Sequence, residues 1–533
     1  MKKFFTVKSK TITGAALVLG AAAFVSRIIG VVRDRIFAHY FGASEVLDVY
    51  YAAFRVPDLV YNLLILGALS AGFIPVFLSV WEKNEKHAWR VTNSILHILG
   101  FFLVTLLVPL YFLLPTIIPH IVPGFSTAAL AETVTLSRIM LLSPLILGMS
   151  GIVSGVLQSR KSFFIYSLTP ILYNIGIILG VIFLVPYFGT KGLAYGVILG
   201  AILHFAIQIP TLFSHGYSYQ PLLLLQDNAV RKIGKLMIPR TITLATQQIH
   251  LLVITILASQ LGAGSITVFT FAQNLQFFPI GIIGISFALA AFPTLSEFHA
   301  KKSTTAFINY LTQTIKQILF LILPCTVIFL LLRAQIVRVV LGSGQFDWQA
   351  TILTADILAF FTISFFAQCL IPLLIRAFYA KHNTITPLII SIIATAIHII
   401  LSISLKNMFG IRGLALAFSI GACIQTALLW FGLRHTVAWD KTKGILSSLY
   451  KICLAVILMA LTTQGLKYPF SLVVQMDTFW GIFSHALLSG GCGIIIYLIT
   501  CYILKTEELL LLKQSIEKKW LKSTKSQPEI IQN

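Results

Sequence analysis

The sequence predicts an all-α polytopic membrane protein of about fourteen transmembrane helices: two six-helix lobes in parallel repeat, plus two extra C-terminal helices. Three observations carry that expectation. The 533 residues are 57% hydrophobic and only 11% charged, with a mean hydropathy of +0.91. The apolar residues fall into runs long enough to cross a bilayer. The first half of the chain recurs in the second at an offset of about 220 residues. A soluble domain carries roughly 25% charged residues, so a cytosolic enzyme, a secreted domain and a disordered chain are all excluded.

A bilayer-crossing helix takes about 20 apolar residues. Runs of that kind lie near 14–38, 47–80, 92–115, 129–157, 164–186, 191–213, 235–260, 265–295, 305–333, 350–378, 384–405, 411–433, 446–466 and 479–504. The first carries Arg27, Arg33 and Asp34 and lacks a small-residue cleavage site after a short apolar core, unlike an ordinary cleaved signal peptide. An even number of spans puts both termini on one side. With that side cytoplasmic, the inner segments hold 26 basic residues and the outer ones 8. The net charge of +22 is therefore mostly a topology signal, and no nucleic-acid partner is expected. The tail 506–533 reads as a basic cytoplasmic extension near anionic lipid.

The repeat rests on matches in the same order. Phe188-Gly189-Thr190-Lys191-Gly192-Leu193-Ala194 returns as Phe409-Gly410-Ile411-Arg412-Gly413-Leu414-Ala415. Gly42-Ala43 returns as Gly262-Ala263, and Gly200-Ala201 as Gly421-Ala422. A unit of six spans keeps its orientation, so the copies are parallel: an N-terminal lobe at 1–215 and a C-terminal lobe at 230–435. The helices at 445–505 are additional.

Charges inside spans are costly and call for a function. In the second span Asp48, Tyr51, Arg55, Asp58 and Asn62 follow one another at three- and four-residue steps, one face of a continuous helix. Arg27 and Asp34 share a face of the first span, with Arg33 beside it. Span seven opens at Pro239 and places Arg240, Thr243, Gln247 and His250 on one stripe. These residues read either as ion pairs that hold helices together or as the wall of a wet cavity between lobes. The excess of arginine over acid favours an anion, and guanidinium forks suit a phosphate or diphosphate. No catalytic residue and no metal or cofactor site is expected: the chain has no GxxxxGK[ST] and no HExxH. The six cysteines lack metal or disulfide spacing. Any energy comes from an unidentified coupling ion or the membrane potential.

Ser26-Arg27-Ile28-Ile29-Gly30-Val31-Val32-Arg33-Asp34, Phe41-Gly42-Ala43, Ala53-Phe54-Arg55-Val56-Pro57 and Gly67-Ala68-Leu69-Ser70-Ala71-Gly72 resemble the signature of the MurJ (MviN) lipid II flippases. Those belong to the multidrug/oligosaccharidyl-lipid/polysaccharide exporter superfamily, and Arg376-Ala377-Phe378-Tyr379-Ala380 with Thr386-Pro387 fits too. The resemblance covers about 1–435 and implies a bacterial inner-membrane flippase that carries undecaprenyl-diphosphate disaccharide-pentapeptide outward by alternating access. It implies lipid II and membrane lipids as the partners, and a monomer suffices. Arg27, Arg33 and Asp34 match the family's span-one positions, Arg55 its basic residue and Asp48 its acid in span two. The chain departs from the pattern at Tyr61-Asn62, at Leu66 and at Asn274, where the family carries charges. Arg240 is expected to supply the positive charge that Asn274 lacks. A flippase for another prenyl-diphosphate oligosaccharide is the alternative, and a cation-coupled drug antiporter fits the basic cavity less well.

Overall fold

The computed structural model describes residues 12–66, 72–437 and 442–511, without the side chains of 12–19, 64–66, 238–247, 436–437 and 442–443. Among the described residues the chain is helix and turn, with no strand. In chain order the helices are α1 (Ile12–Phe41), α2 (Glu45–Ala53), α3 (Arg55–Val60), α4 (Ile74–Trp81), α5 (Glu85–Ile121), α6 (Thr127–Met140), α7 (Leu142–Ser159) and α8 (Phe163–Leu179). Then come α9 (Val185–Phe188), α10 (Lys191–Ala206), α11 (Ile209–Ser214), α12 (Asn228–Ser259), α13 (Ser265–Ile280), α14 (Ser286–Ala300) and α15 (Thr304–Leu331). The last are α16 (Arg333–Leu341), α17 (Trp348–Thr362), α18 (Phe365–Ala380), α19 (Ile385–Phe409), α20 (Ile411–Val437), α21 (Thr442–Val473) and α22 (Phe479–Ile503).

Among the described residues, ten helical stretches are long and apolar enough to cross a bilayer, or eleven when α17 and α18, bent by 48° at their break, form one span. The protein is therefore a multi-pass membrane protein. Each stretch matches one of the apolar runs in the sequence. The runs left over, 14–38, 47–80 and 235–260, each include residues or side chains outside those described. The second is divided at Phe54 and again at a π-helical turn, Tyr61–Leu66. In the third, Gln248–Ser259 is an apolar helix among the described residues.

Two compact units emerge. One comprises the chain through Phe271 with Val340–Ala350 and Ser402–Leu414; the other comprises Ala272–Val339, Thr351–Leu401 and the chain from Ala415. In the first unit α5 is 37 residues long, or about 55 Å at about 1.5 Å per residue. That exceeds the roughly 30 Å hydrocarbon core. Its first turns hold the segment that leads to α12. Tyr217 donates its hydroxyl to Asn93 Oδ1, Asn93 Nδ2 donates to the Ser218 carbonyl at 2.9 Å, and the Leu224 N–H donates to Ser94 Oγ at 2.8 Å. Asp227 then caps α12 by accepting from Ala229 N (2.8 Å) and Val230 N (3.3 Å).

Proline in a membrane helix leaves the carbonyl four residues earlier without its donor, and lipid cannot supply one. At four prolines here a side chain does. Ser137 Oγ reaches the Ala53 carbonyl (3.0 Å) freed by Pro57, and Thr169 Oγ1 the Tyr166 carbonyl (2.8 Å) freed by Pro170. Arg138 Nε reaches the Tyr111 carbonyl (3.2 Å) freed by Pro115. In the second unit Tyr497 donates its hydroxyl to the Phe320 carbonyl (2.7 Å) freed by Pro324. That bond ties α22 to α15 across a buried cluster of Phe320, Ile452, Ala455, Met459, Tyr497 and Cys501.

In each unit the helix pair corresponding to the fourth and sixth spans is also clasped. Gln208 Nε2 donates to Ser150 Oγ (2.6 Å) and its Oε1 accepts from Ser154 Oγ (2.8 Å). In the second unit Ser364 meets Ser419 at 2.9 Å, and Gln368 Nε2 donates to Ser364 Oγ (2.9 Å) and Gln276 Oε1 (3.0 Å). Gly189 and Gly410, matched in the repeat, share one backbone, with φ 59° at both.

Four helix ends turn on a left-handed residue other than glycine: Lys161 (φ 60°), Lys302 (53°), His382 (57°) and Lys505 (48°). Each makes the same paired turn. Lys161 N donates to the Gln158 carbonyl (3.0 Å), and Ser162 N to the Leu157 carbonyl (2.9 Å). All four lie at ends that the charge count assigns to the cytoplasm. Of the left-handed glycines, Gly42, Gly189, Gly262, Gly264, Gly344 and Gly410 lie at ends assigned to the outside and Gly216 at one assigned to the cytoplasm.

Candidate functional site

The first unit gathers the ionisable residues of the first two spans. α1 packs along α8. Arg33 uses both sides of its fork: Nε and Nη2 donate to Asp34 Oδ1 at 3.1 and 2.8 Å, and Nη1 donates to Asn174 Oδ1 on α8 at 3.0 Å. Asn174 is oriented in turn by its own donation to the Pro170 carbonyl, 3.0 Å away. The guanidinium carbon stands 5.9 Å from the Phe37 ring centre. Asp34 is 4% exposed. A buried pair of this kind breaks even as a pair, but removing one partner costs about 3–5 kcal/mol. Arg27 is half-buried, seven residues and so about 10 Å earlier on the same helix.

The second span is not the continuous helix that its spacing assumes. Pro57 lacks an N–H, and α2 gives way to α3 at Phe54. Asp48 lies on α2, and Arg55 and Asp58 lie on α3. Asp48, 1% exposed, accepts from Gly264 N (2.7 Å), Thr267 N (2.7 Å) and Thr267 Oγ1 (2.6 Å). Its carboxylate thus sits on the N-terminus of α13, where unpaired N–H groups and the helix dipole favour an anion. Asp48 thereby ties α2 to the start of α13.

Arg55 opens α3. Its Nε is buried and has no hydrogen-bond partner among the described residues. Asp58, one turn on, lies within electrostatic reach of Arg55, Tyr50 and Tyr173. Asn62 folds its amide back onto the Asp58 carbonyl, 2.9 Å away, at the π-helical turn. Arg33, Asp34, Arg55 and Asp58 are therefore brought into one polar region with Tyr50, Tyr51 and Tyr173, and Asp48 borders it through Tyr51. Arg240 and Gln247 fall on α12 in the stretch whose side chains lie outside the described residues. Asn274 is half-buried in the second unit. Among the described residues no group of three or more His, Cys, Asp or Glu could hold a metal.

Two participants escaped the sequence reading. Asn174 is a lone amide in an apolar span, and its partner is 141 residues away. Thr267 stands in the first turn of α13, a place where a hydroxyl ordinarily caps its own helix. Around Asp48 the backbone closes tightly. Gln345 N donates to the His39 carbonyl (3.0 Å). A Cβ at Gly344 would meet that carbonyl at 2.2 Å, and one at Gly42 would meet the Gln345 carbonyl at 2.5 Å. Both glycines have positive φ, so no other residue fits either place.

Comparison with known proteins agrees with this arrangement. The family model "Lipid II flippase MurJ" matches residues 37–484. The lipid II flippase MurJ of Burkholderia cenocepacia is 26% identical over 460 residues, 84% of this chain and 88% of its own length. The probable lipid II flippase MurJ of Vibrio cholerae is 28% identical over 520 residues, 93% of this chain and 96% of its own. A solved structure of a lipid II flippase MurJ in an inward closed conformation aligns with a TM-score of 0.77 at 26% identity, covering 92% of this chain and 98% of that one. An inward-facing multidrug transporter of the MATE family shares the fold alone, with a TM-score of 0.67 at 17% identity. On residues 37–484 and on this architecture, the chain belongs to the lipid II flippase MurJ family.

Proposed function

We propose that the protein is a flippase that moves lipid II, an undecaprenyl-diphosphate disaccharide-pentapeptide, from the inner to the outer leaflet of the bacterial cytoplasmic membrane. Family membership supplies the substrate. The observation that carries the reading at the level of residues is the polar region of the first two spans. There Arg33 is pre-oriented by Asp34 and Asn174, and Arg55 holds a buried donor with nothing described to receive it. Burying a cation and leaving its donor open is costly unless a ligand provides the acceptor, and a diphosphate presents several charged oxygens to such forks.

Arg27, Arg33 and Arg55 take the diphosphate, with Arg240 contributing from α12. Asp34 and Asp58 hold the arginines in place, and Asn62, Gln247 and Asn274 meet the sugar-peptide. The prenyl tail stays with lipid, against the additional helices α21 and α22. Chain transfer into a polar cavity would forfeit about 0.8 kcal/mol per CH₂. Both termini lie in the cytoplasm, and the junction of His39, Gly42, Asp48, Gly264 and Gln345 is the closed outer end. Substrate binding offsets the arginine charge and lets that end open. The protein acts as a monomer, without a catalytic step.

The test is appearance of lipid II at the outer leaflet in cells depleted of their own flippase. Expression of this chain restores it, and Arg27→Ala abolishes the rescue. Outer-leaflet delivery of another prenyl-linked oligosaccharide without lipid II would overturn the proposal.

A further inference from the structure

We propose that an apolar hollow beside Arg55 receives the head-proximal isoprenoid units of a prenyl diphosphate, so that the chain's anchored end is gripped where the diphosphate is bound. The inference rests on the function proposed above. Where α3 meets α5 and α12 the first unit contains a cavity of about 450 Å³. Arg55, Leu59, Leu110, Ile117, Leu252 and Ile256 line it, and Thr116 and His120 are the other polar side chains at its wall. A water in such a space needs two to four polar partners, and the aliphatic wall offers few. Small-molecule sites run from about 300 to 1,000 Å³, so this one holds a few isoprene units and not a whole undecaprenyl chain.

The guanidinium decides the kind of occupant. Arg55 is the one residue that both lines the hollow and carries a buried donor without a described acceptor. A ligand that suits both features has an oxyanion joined directly to a hydrocarbon chain. The source is the transported substrate rather than a bilayer phospholipid. Arg55 belongs to the same short helix as Asp58, which is in electrostatic reach of Tyr50 and Tyr173 and hence next to the Arg33–Asp34 clamp. An anion at Arg55 thus shares its electrostatic surroundings with the Arg33–Asp34 pair, and the hollow that Arg55 lines is open to its attached chain.

The test uses the purified full chain and two probes, farnesyl diphosphate and inorganic diphosphate. Farnesyl diphosphate binds at least tenfold more tightly. Leu110→Trp and, from the opposite wall, Ile256→Trp each reduce that advantage below twofold and leave inorganic diphosphate binding unchanged, which also shows that the variants are folded. Arg55→Gln weakens both probes. A photoreactive farnesyl diphosphate labels residues 110–121 or 252–256 of the wild-type protein. Unchanged farnesyl preference in both tryptophan variants, or labelling confined elsewhere, overturns the proposal. So does equal competition by phosphatidylglycerol, which would make the occupant a bilayer lipid. If the wild-type chain delivers no lipid II to the outer leaflet, the transport reading fails while the farnesyl result stands by itself.

Discussion

Arg138 donates its Nε to the main-chain carbonyl of Tyr111, 3.2 Å away, and lays its guanidinium over the ring of the same residue at 4.8 Å. The carbonyl is the one that Pro115 leaves without a helical donor. One side chain thus repairs a backbone defect and stacks on the residue that bears it. Arg138→Ala should lower stability in detergent by about 0.5–1.5 kcal/mol, the usual net worth of one hydrogen bond. Pro115→Ala restores the helical bond, so it should suppress most of that loss in the double variant. Additive losses in the cycle would show that Arg138 acts elsewhere.

Asp34 and Arg27 separate stability from transport. Asp34→Ala leaves the Arg33 fork without its charged partner, and should cost about 3–5 kcal/mol in unfolding and abolish lipid II delivery. Arg27→Ala should cost less stability than Asp34→Ala yet also abolish delivery. Thermal melts and an outer-leaflet lipid II assay on the same preparations distinguish the two. A large stability loss for Arg27→Ala would assign it to packing.

Asn174→Ala removes the third bond to Arg33. The expected cost is about 1 kcal/mol in stability, with a larger fractional loss of delivery because the guanidinium is no longer aimed. Asn174→Gln should recover stability but not delivery. Equal recovery of both would make Asn174 a structural residue only.

Asp48 and the N-terminus of α13 form a latch that can be opened chemically. Asp48→Ala removes three short bonds to Gly264 and Thr267. In a cysteine-free background, a cysteine placed at Tyr51 should then react faster with a membrane-impermeant thiol reagent from outside than it does with Asp48 intact. Thr267→Val, which keeps the backbone donors, should have a smaller effect. No change in accessibility would remove the latch.

The basic left-handed turns pit charge against backbone strain. A non-glycine residue in that conformation costs roughly 1–2 kcal/mol. Lys161→Gly and Lys302→Gly should each therefore raise the melting free energy by about 1 kcal/mol, although each removes a residue that marks the cytoplasmic side. Topology reporters fused at the tail should show a larger share of inverted chains as such substitutions accumulate.

The span pattern was legible because burial in lipid imposes a long apolar run, and each of the ten long apolar stretches appears in the sequence as one. The polar spans were harder. Pro57 is visible in the sequence, but not that the helix is interrupted at Phe54 or that Ser137, 84 residues beyond Ala53, would bond the carbonyl Pro57 frees. Side-chain partners were illegible for a different reason. Asp48 finds Gly264 and Thr267 at separations of 216 and 219 residues, and no local periodicity encodes a pairing at that distance. Ionisable residues announce that they need a partner; only packing says which one.

The proline-freed carbonyls also set a schedule for biosynthesis. The donor for Ala53 is Ser137, made 84 residues later, whereas the donor for Phe320 is Tyr497, 177 residues later. At the roughly 5–20 residues per second of synthesis, Phe320 waits on the order of 10–35 s before its partner exists. During that interval water, the insertion machinery or a neighbouring hydroxyl must hold the exposed carbonyl of α15. The last two helices therefore close a defect opened early in the second unit, and a nascent chain stalled before Tyr497 carries an uncapped kink into the membrane.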